Sequence, residues 1–281
     1  MRAKKHQNAE DGERTMESRP LGKTGETIPE IGLGTSRYRG GVEPLHKGIS
    51  LGAFIDTAEM YGTEDVVGKA VQGTRESTFI ATKVLPRNLK YSDLIQAAER
   101  SLRLLQTDYI DLYQLHYPNP AIPIAESMGA MEDLVNQGKV RFIGVSNYSA
   151  SQLAGAMGVM TKYEIVSNQV QYSLTHRNIE EDLLPFCQQH QITVIAHTPL
   201  DRGGLVAKSF LRRRQAMDVL EKLAEETGRT APQVALNWCL SRPNVVVIPK
   251  SDKIERVIQN CDASGWSLTR QQIQSLDEAF K

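Results

Sequence analysis

Short apolar segments recur along the chain from Arg19 onward and alternate with longer segments of helical periodicity. The short segments are almost continuously apolar rather than alternating, as expected of strands that are buried on both faces. We predict eight such strands, at Ile31–Gly34, Ala53–Asp56, Thr78–Lys83, Ile110–His116, Arg141–Ser146, Ile165–Gln169, Ile192–Thr198 and Val245–Pro249. A buried parallel sheet is therefore predicted at the centre of the fold.

The segments between these strands place apolar residues on one helical face. In Tyr91–Leu105 this face includes Leu94, Ala98 and Leu102, and Ser92 or Asp93 is the predicted N-cap. Further helices are predicted at Ile124–Gln137, Gln215–Thr227, Thr230–Ser241 and Thr269–Phe280.

The spacing of strands and helices predicts the fold class. Successive strands lie roughly 30 residues apart, the size of a βαβ unit, and eight units in 281 residues suit a (β/α)8 TIM barrel. A doubly wound sheet is the alternative, but Gly32–Arg37 lacks the third glycine of its usual Gly-x-Gly-x-x-Gly motif. Arg19–Glu30 predicts a hairpin that turns at Thr24-Gly25 and covers the bottom of the barrel. We predict an α/β fold, a (β/α)8 TIM barrel with an N-terminal β-hairpin.

The first 18 residues differ in composition from the rest. They contain four basic and four acidic side chains and almost no apolar ones, a composition typical of disorder and unlike a signal peptide. We predict a disordered N-terminal tail at 1–18 and a single barrel domain at 19–281.

Charge and cysteine usage narrow the function classes. Lys+Arg and Asp+Glu both number 33, which argues against a general binder of nucleic acid or of anionic membranes. The three cysteines, Cys187, Cys239 and Cys261, are widely spaced, have no metal-ligand pattern and fit a reducing compartment. We expect a cytoplasmic protein that acts on a small molecule without nucleic acid, membrane or metal; the sequence leaves its oligomeric state open.

Four ionisable side chains end, or nearly end, three successive predicted strands. Asp56, Lys83 and His116 close the strands, and Tyr61 follows the first of them by five residues. Each has an ordinary structural alternative, such as a cap, a solvated lysine or a core histidine, but the repeated pattern is hard to explain by packing. In a parallel barrel the strand ends form one face, where catalytic residues lie.

These four side chains can work as one acid. A free tyrosine, with a pKa near 10, is a poor acid at neutral pH. A neighbouring cation such as Lys83 lowers that pKa, and Asp56 can pair with Lys83. His116 can orient a substrate oxygen. The set predicts a general acid, Tyr61, directed at a carbonyl oxygen.

Seven short strings resemble the aldo-keto reductase family and occur in the family's order over about residues 19–280. The strings are Gly32-Leu-Gly-Thr35, Ile55-Asp-Thr-Ala58 with Tyr61-Gly62, Ala81-Thr-Lys83, Asp111-Leu-Tyr-Gln-Leu-His116, Gly144-Val-Ser-Asn147, Asn168-Gln169 and Ile248-Pro-Lys-Ser251. The resemblance implies a (β/α)8 barrel that transfers hydride from NADPH to aldehydes or ketones. It also implies an Asp-Tyr-Lys-His tetrad, which falls on Asp56, Tyr61, Lys83 and His116.

The resemblance also implies a cofactor site. Ser146, Asn147 and Gln169 match the residues that hold the nicotinamide carboxamide, and Gly34 and Thr35 match a loop beside the pyrophosphate. The loop that covers the pyrophosphate matches Pro199, Leu200, Gly203 and Leu205. The grip on the adenosine 2′-phosphate matches Lys250, Ser251, Arg256 and Asn260. Arg256 favours NADPH over NADH, because a guanidinium suits a phosphate.

Two cofactor positions depart from the family pattern. His197 replaces the aromatic ring that stacks on the nicotinamide, which predicts weaker binding of the oxidised cofactor and some pH sensitivity. Gln259 replaces a frequent glutamate near the adenine and loses its charge.

Substrate residues are marked only by position. Ser36, Arg37, Tyr38 and Tyr117 follow the first and fourth strands and are predicted to line the substrate mouth.

Three functions fit the sequence. The main hypothesis is an NADPH-dependent carbonyl reductase with Tyr61 as general acid. One alternative is a cofactor-binding sensor or regulatory subunit of the same fold with little turnover. Another is a barrel aldolase that forms a Schiff base on Lys83.

Overall fold

The computed structural model describes residues 16–201, 203 and 211–281, so the prediction for Leu205 and most of that for the N-terminal tail lie outside the described residues. The strands are β1 (Ser18–Pro20), β2 (Thr27–Pro29), β3 (Gly32–Gly34), β4 (Phe54–Asp56), β5 (Ile80–Val84), β6 (Ile110–Leu115), β7 (Val140–Ser146), β8 (Ile165–Gln171), β9 (Thr193–His197) and β10 (Val245–Ile248). The helices of the described residues are α1 (Glu43–Ser50), α2 (Glu64–Ala70), α3 (Tyr91–Leu105), α4 (Ile124–Asn136), α5 (Ala150–Met157), α6 (Leu183–Gln189), α7 (Leu211–Thr227), α8 (Ala231–Leu240), α9 (Ile254–Cys261) and α10 (Arg270–Ala279).

Strands β3 to β10 form one parallel sheet in sequence order. A parallel bridge between Ile31 and Val247 joins its first and last strands, and the Gly34 N–H donates to the Pro249 carbonyl at 3.2 Å. A Cβ at Gly34 would lie 2.9 Å from the Ile248 carbonyl oxygen, so only glycine lets the two backbones approach this closely. The predicted (β/α)8 barrel is confirmed.

The predicted hairpin is confirmed as β1 paired antiparallel with β2. Its Leu21 and Ile28 are fully buried and pack with inward side chains of the barrel strands, among them Phe54 and Leu112. The Gly22 N–H donates to the Thr193 hydroxyl at 2.9 Å, and Thr193 is the first residue of β9. The hairpin therefore closes the end of the barrel where the strands begin.

The predicted N-terminal tail extends too far along the chain, because residues 16–18 already contact the rest of the fold. Ser18 is already the first residue of β1, Met16 packs against the hydrophobic core, and the Glu17 N–H donates to the Ser264 hydroxyl at 3.0 Å. Long-range contacts fix these three residues, and no local pattern announces such contacts. Residues 1–15 lie outside the described part of the chain.

The five predicted helices are present at nearly the predicted positions, as α3, α4, α7, α8 and α10, and five further helices of the described residues were not predicted. Helix α3 has the predicted bounds, but its N-cap is Lys90 without a side-chain bond, so the prediction of Ser92 or Asp93 was wrong. The Tyr91 N–H donates instead to Glu126 of α4 at 2.9 Å. A tertiary contact has replaced the local cap. No helix in the described part of the chain is long and apolar enough to cross a membrane.

A buried carboxylate, Asp111, connects the beginnings of three strands. It accepts the Ile80 N–H of β5 at 3.0 Å and pairs with Arg141 of β7 at 2.8 Å, while Asp111 itself lies in β6. Arg75 adds a further ion pair at 2.9 Å. This cluster fixes β5, β6 and β7 relative to one another at the end opposite their carboxyl termini.

Candidate active site

A cleft of about 900 Å³ opens over the carboxyl ends of the barrel strands. Asp56, Tyr61 and His116 line it, and Lys83 lies fully buried behind them. Asp56 ends β4 and Lys83 lies in β5, whereas Tyr61 ends a one-turn 3₁₀ helix and His116 directly follows β6. The structure thus brings together the four side chains that the strand ends predicted.

Lys83 and Asp56 form a buried ion pair. The Lys83 Nζ donates to Asp56 Oδ1 at 2.6 Å and to the Thr57 carbonyl at 2.8 Å. Burial alone lowers the pKa of an ammonium, but the Asp56 carboxylate and Tyr61 outweigh it and raise the pKa of Lys83 above its ordinary value. Lys83 therefore stays charged at the base of the cleft.

Asp56 has a second partner that sequence reasoning missed. The Gln169 side-chain amide donates to Asp56 Oδ2 at 2.7 Å. The two residues are 113 positions apart in sequence, so no local motif could have revealed the contact. Gln169 also lines the cleft, as Asp56 does, so its side chain connects the ion pair to the polar groups at the end of β8.

The Tyr61 phenol lies between a cation and an imidazole. Its Oη is 3.4 Å from His116 Nε2, and the Lys83 Nζ is 5.0 Å from its ring centroid. Burial raises the pKa of Tyr61, and Lys83 opposes this only in part. The expected net lowering by Lys83 is therefore absent from this geometry, because loss of water around the phenol is the larger effect.

His116 is held neutral. Burial, the positive Lys83 and His197 together lower the pKa of His116 to about 3. Its ring stacks on Tyr117 with centroids 4.9 Å apart, and its buried Nδ1 has no hydrogen-bond partner among the described residues. A neutral imidazole beside the phenol can exchange a hydrogen bond with a substrate oxygen without bringing in a charge.

The predicted carboxamide site is a cluster of polar groups at the ends of β7, β8 and β9. The Asn147 amide donates to the His116 carbonyl and to the Ser146 hydroxyl, both at 3.0 Å. Ser146 in turn donates to the Gln169 carbonyl at 2.9 Å. His197 Nε2 lies 3.4 Å from Asn147 Oδ1, and its Nδ1 lies 3.0 Å from the Thr198 hydroxyl. These contacts orient neutral donors and acceptors toward the cleft.

The predicted phosphate grip lies on α9 and on the loop that precedes it. Lys250 pairs with Asp252, a partner that was not predicted. At the start of α9, Arg256 donates to Gln259 at 3.0 Å, and both side chains line the cleft with Ser251. The cleft is therefore lined by cationic side chains as well as by amide and hydroxyl groups.

Most of the remaining predicted residues also line the cleft. They are Gly34, Thr35, Ser36, Arg37, Tyr117, Pro199, Leu200, Gly203 and Asn260. Tyr38 does not line it, because its ring is buried and its hydroxyl donates to the Gly41 carbonyl at 2.8 Å. Leu205 lies outside the described residues.

The cleft includes residues that the sequence did not single out. They are Met60, Thr198, Met217, Leu220, Ala231 and Pro232, and Ile248 and Pro249 of the Ile248–Ser251 string line it as well. Most are apolar and belong to helices or strand ends, so they carry no chemical signal beyond helical periodicity. Thr198 has a φ of 56°, a strained conformation for a β-branched residue that is typical of functional sites.

The comparisons with known proteins agree with this geometry. The model of the aldo/keto reductase family matches residues 31–281. Methylglyoxal reductase YeaE of Escherichia coli (strain K12) is 38% identical, over 90% of this chain and 92% of that protein. A thermostable aldo-keto reductase crystallised with the inhibitor epalrestat superposes with a TM-score of 0.87 at 40% identity, covering 94% of this chain and 100% of that one. An aldo/keto reductase from Klebsiella pneumoniae, crystallised with NADP and acetate, gives a TM-score of 0.85 at 38% identity, with 94% and 95% covered.

The fold and the cleft thus define a barrel oxidoreductase that uses a nicotinamide dinucleotide. The chain belongs to the aldo/keto reductase family. In the described part of the chain, no group of three or more His, Cys, Asp or Glu side chains is arranged to hold a metal ion.

Proposed function

We propose that this protein is an NADPH-dependent reductase of small aldehydes and ketones, with Tyr61 as the proton donor. One observation carries the proposal: the buried Lys83–Asp56 pair lies beside Tyr61 and His116 at the base of a cleft. A tetrad of this composition has no evident packing purpose, since two buried charges are costly to maintain.

The size and the lining of the cleft support the proposed cofactor. Its volume of about 900 Å³ is near the upper end of the roughly 300–1,000 Å³ typical of small-molecule and cofactor sites. Lys250 and Arg256 supply cations for a phosphate, and Ser146 and Asn147 supply neutral groups for an amide. The crystallised Klebsiella relative with NADP supports the same assignment.

When bound, the reduced dinucleotide supplies a hydride to the carbonyl carbon. Tyr61 gives its phenolic proton to the carbonyl oxygen, and Lys83 stabilises the phenolate that remains. Asp56 keeps Lys83 charged, and Gln169 fixes the second oxygen of that carboxylate. Neutral His116 orients the substrate oxygen without competing for the proton.

The mouth of the cleft indicates a small and partly apolar substrate. Met60 and Tyr117 line it and remain 49% and 43% exposed, and Arg37 adds a positive charge at the same face. We propose short oxoaldehydes, methylglyoxal first, because the E. coli relative is named a methylglyoxal reductase. The three buried free thiols are compatible with a reducing, cytoplasmic setting.

The test is the loss of NADPH absorbance with a panel of aldehydes and ketones, for wild type and Tyr61→Phe. We expect turnover of methylglyoxal by wild type and a fall of about 10³-fold or more in Tyr61→Phe, because general acid catalysis contributes about 10²–10⁴-fold. Binding of NADPH, measured by fluorescence titration, is retained in Tyr61→Phe. Tyr91→Phe is the control, since Tyr91 is exposed on α3 and outside the cleft.

Other outcomes separate the alternatives. Tight NADPH binding by wild type without turnover of any carbonyl in the panel would favour a cofactor-binding sensor. Borohydride trapping of a substrate on Lys83 would favour an aldolase.

A further inference from the structure

The proposed proton donor lies on a very short element. Tyr61 is the last residue of the 3₁₀ turn Glu59–Tyr61, which lies between β4 and α2. The Tyr61 N–H donates to the Ala58 carbonyl at 2.9 Å, and Gly62 follows the turn with a φ of 63°. So short an element cannot fix the direction of a side chain alone, and its orientation depends on contacts with its surroundings.

Glu59, the first residue of this turn, makes those contacts. Its Oε2 accepts the Leu85 N–H at 3.0 Å. Its Oε1 accepts the Asn88 side-chain amide at 2.8 Å and pairs with Arg100 at 3.2 Å. The Glu59 side chain is only 14% exposed, so these bonds compete little with water. Three donors from two separate segments therefore hold one carboxylate.

One of the two segments that hold Glu59 follows the strand of Lys83, and the other packs against that strand. Leu85 comes directly after β5, two residues beyond Lys83, and Arg100 lies in α3, which packs over that strand. Glu59 therefore connects the turn of Tyr61 to the strand of Lys83 from the outside of the site. It does not line the cleft, so it touches neither substrate nor cofactor.

We propose that Glu59 is a positioning residue that sets the Tyr61 hydroxyl relative to Lys83 and His116. The proposal rests on the proposed function, in which Tyr61 donates the proton. Proton transfer requires the donor to lie within hydrogen-bond reach of the substrate oxygen, and a displacement of 1 Å from a change outside the reacting groups costs about 10²-fold. The carboxylate of Glu59 prevents that displacement.

The experiment compares Glu59→Ala with Glu59→Gln. The glutamine keeps a carbonyl oxygen for the Leu85 N–H, so we expect kcat to fall by about threefold, against about 10²-fold for alanine. The affinity for NADPH changes by less than about twofold in both, because Glu59 does not line the cleft. Glu76→Ala is the matched control, since Glu76 is an exposed glutamate on the 3₁₀ turn before β5 and makes no ion pair among the described residues.

A crystal structure of Glu59→Ala supplies a readout that does not need turnover. We expect the separation of Tyr61 Oη from His116 Nε2, 3.4 Å in the wild type, to lengthen by about 1 Å or more. An unchanged separation, or equal kcat values for the alanine and wild-type enzymes, would overturn the positioning role while leaving the proposed function intact. If wild type lacks turnover, the proposed function fails, and the crystal structure alone decides whether Glu59 positions Tyr61.

Discussion

Replacing Lys83 with methionine tests the energetics of the buried pair. The side chains of Lys83 and Asp56 are 0% and 2% exposed. At an effective dielectric constant of about 20, two unit charges 2.6 Å apart attract by about 6 kcal/mol. Desolvation offsets most of that attraction, but removing one partner leaves a buried charge and costs about 3–5 kcal/mol. We therefore expect Lys83→Met to lower the free energy of unfolding by about 3–5 kcal/mol.

The matched double variant separates stability from catalysis. Asp56→Asn in the Lys83→Met background removes the orphaned charge, so we expect the double variant to lose about 1–3 kcal/mol less than the sum of the two single variants. Turnover of NADPH stays low in both single variants and in the double variant. Each of them lacks the Lys83 ammonium, the Asp56 carboxylate that pairs with it, or both.

Urea or guanidinium unfolding curves provide the measurement, with NADPH oxidation recorded on the same samples. Lys69→Met is the control, because Lys69 is 57% exposed and pairs with Asp65 at 3.7 Å on the surface of α2; its cost is about 0.5 kcal/mol or less. Equal midpoints for Lys83→Met and wild type would refute the reasoning, as would strict additivity of the two single variants.

Three other substitutions address the cofactor and the fold. Arg256→Ala should weaken NADPH binding by about 10- to 150-fold and leave NADH binding unchanged, since a charge-assisted bond to the 2′-phosphate is worth about 1.5–3 kcal/mol; equal losses for both cofactors would contradict this. His197→Tyr should tighten NADP⁺ binding by up to about tenfold, because aromatic stacking contributes about 0.5–1.5 kcal/mol, and fluorescence titration checks it. Glu132→Ala should destabilise the protein by about 2–3 kcal/mol at pH 7, because the Glu132 carboxylate accepts the Thr161 hydroxyl at 2.6 Å and the Lys162 N–H at 2.6 Å. These bonds outweigh burial and lower the pKa of Glu132 to about 2, so the difference from wild type persists above pH 4.5 and shrinks as the pH falls toward 2.

The strands and helices of the barrel could be predicted from the sequence because each of them leaves a local pattern of apolar residues. A strand such as Val245–Ile248 is fully buried and is a run of apolar residues in the sequence, and a helix such as Tyr91–Leu105 shows one apolar stripe. The ends of the helices were predicted less accurately: α7 begins at Leu211, four residues before its predicted start.

The tetrad was predictable for the same reason, but the hydrogen bonds that hold its members in place were not. Asp56, Lys83 and His116 each interrupt an apolar strand at its end, and parallel topology then brings them together. The bond from Gln169 to Asp56 and the anchoring of Tyr61 by Glu59 join segments that are distant in sequence. Tyr38 resembled a cleft residue by position, yet its ring turns into the core.

The contacts of Asp111 at the start of the strands also affect the candidate active site at the opposite end of the same strands. Lys83 is three residues beyond Ile80, and Ser146 is five beyond Arg141, the two positions that Asp111 grips. Side chains of a strand alternate between faces, so a slip of one residue in β5 or β7 would turn Lys83 or Ser146 away from the barrel interior. By fixing the start of β5 and β7, the salt-bridged carboxylate fixes the register of both strands. The register in turn determines how far along the barrel axis, and on which face of the sheet, Lys83 and Ser146 lie.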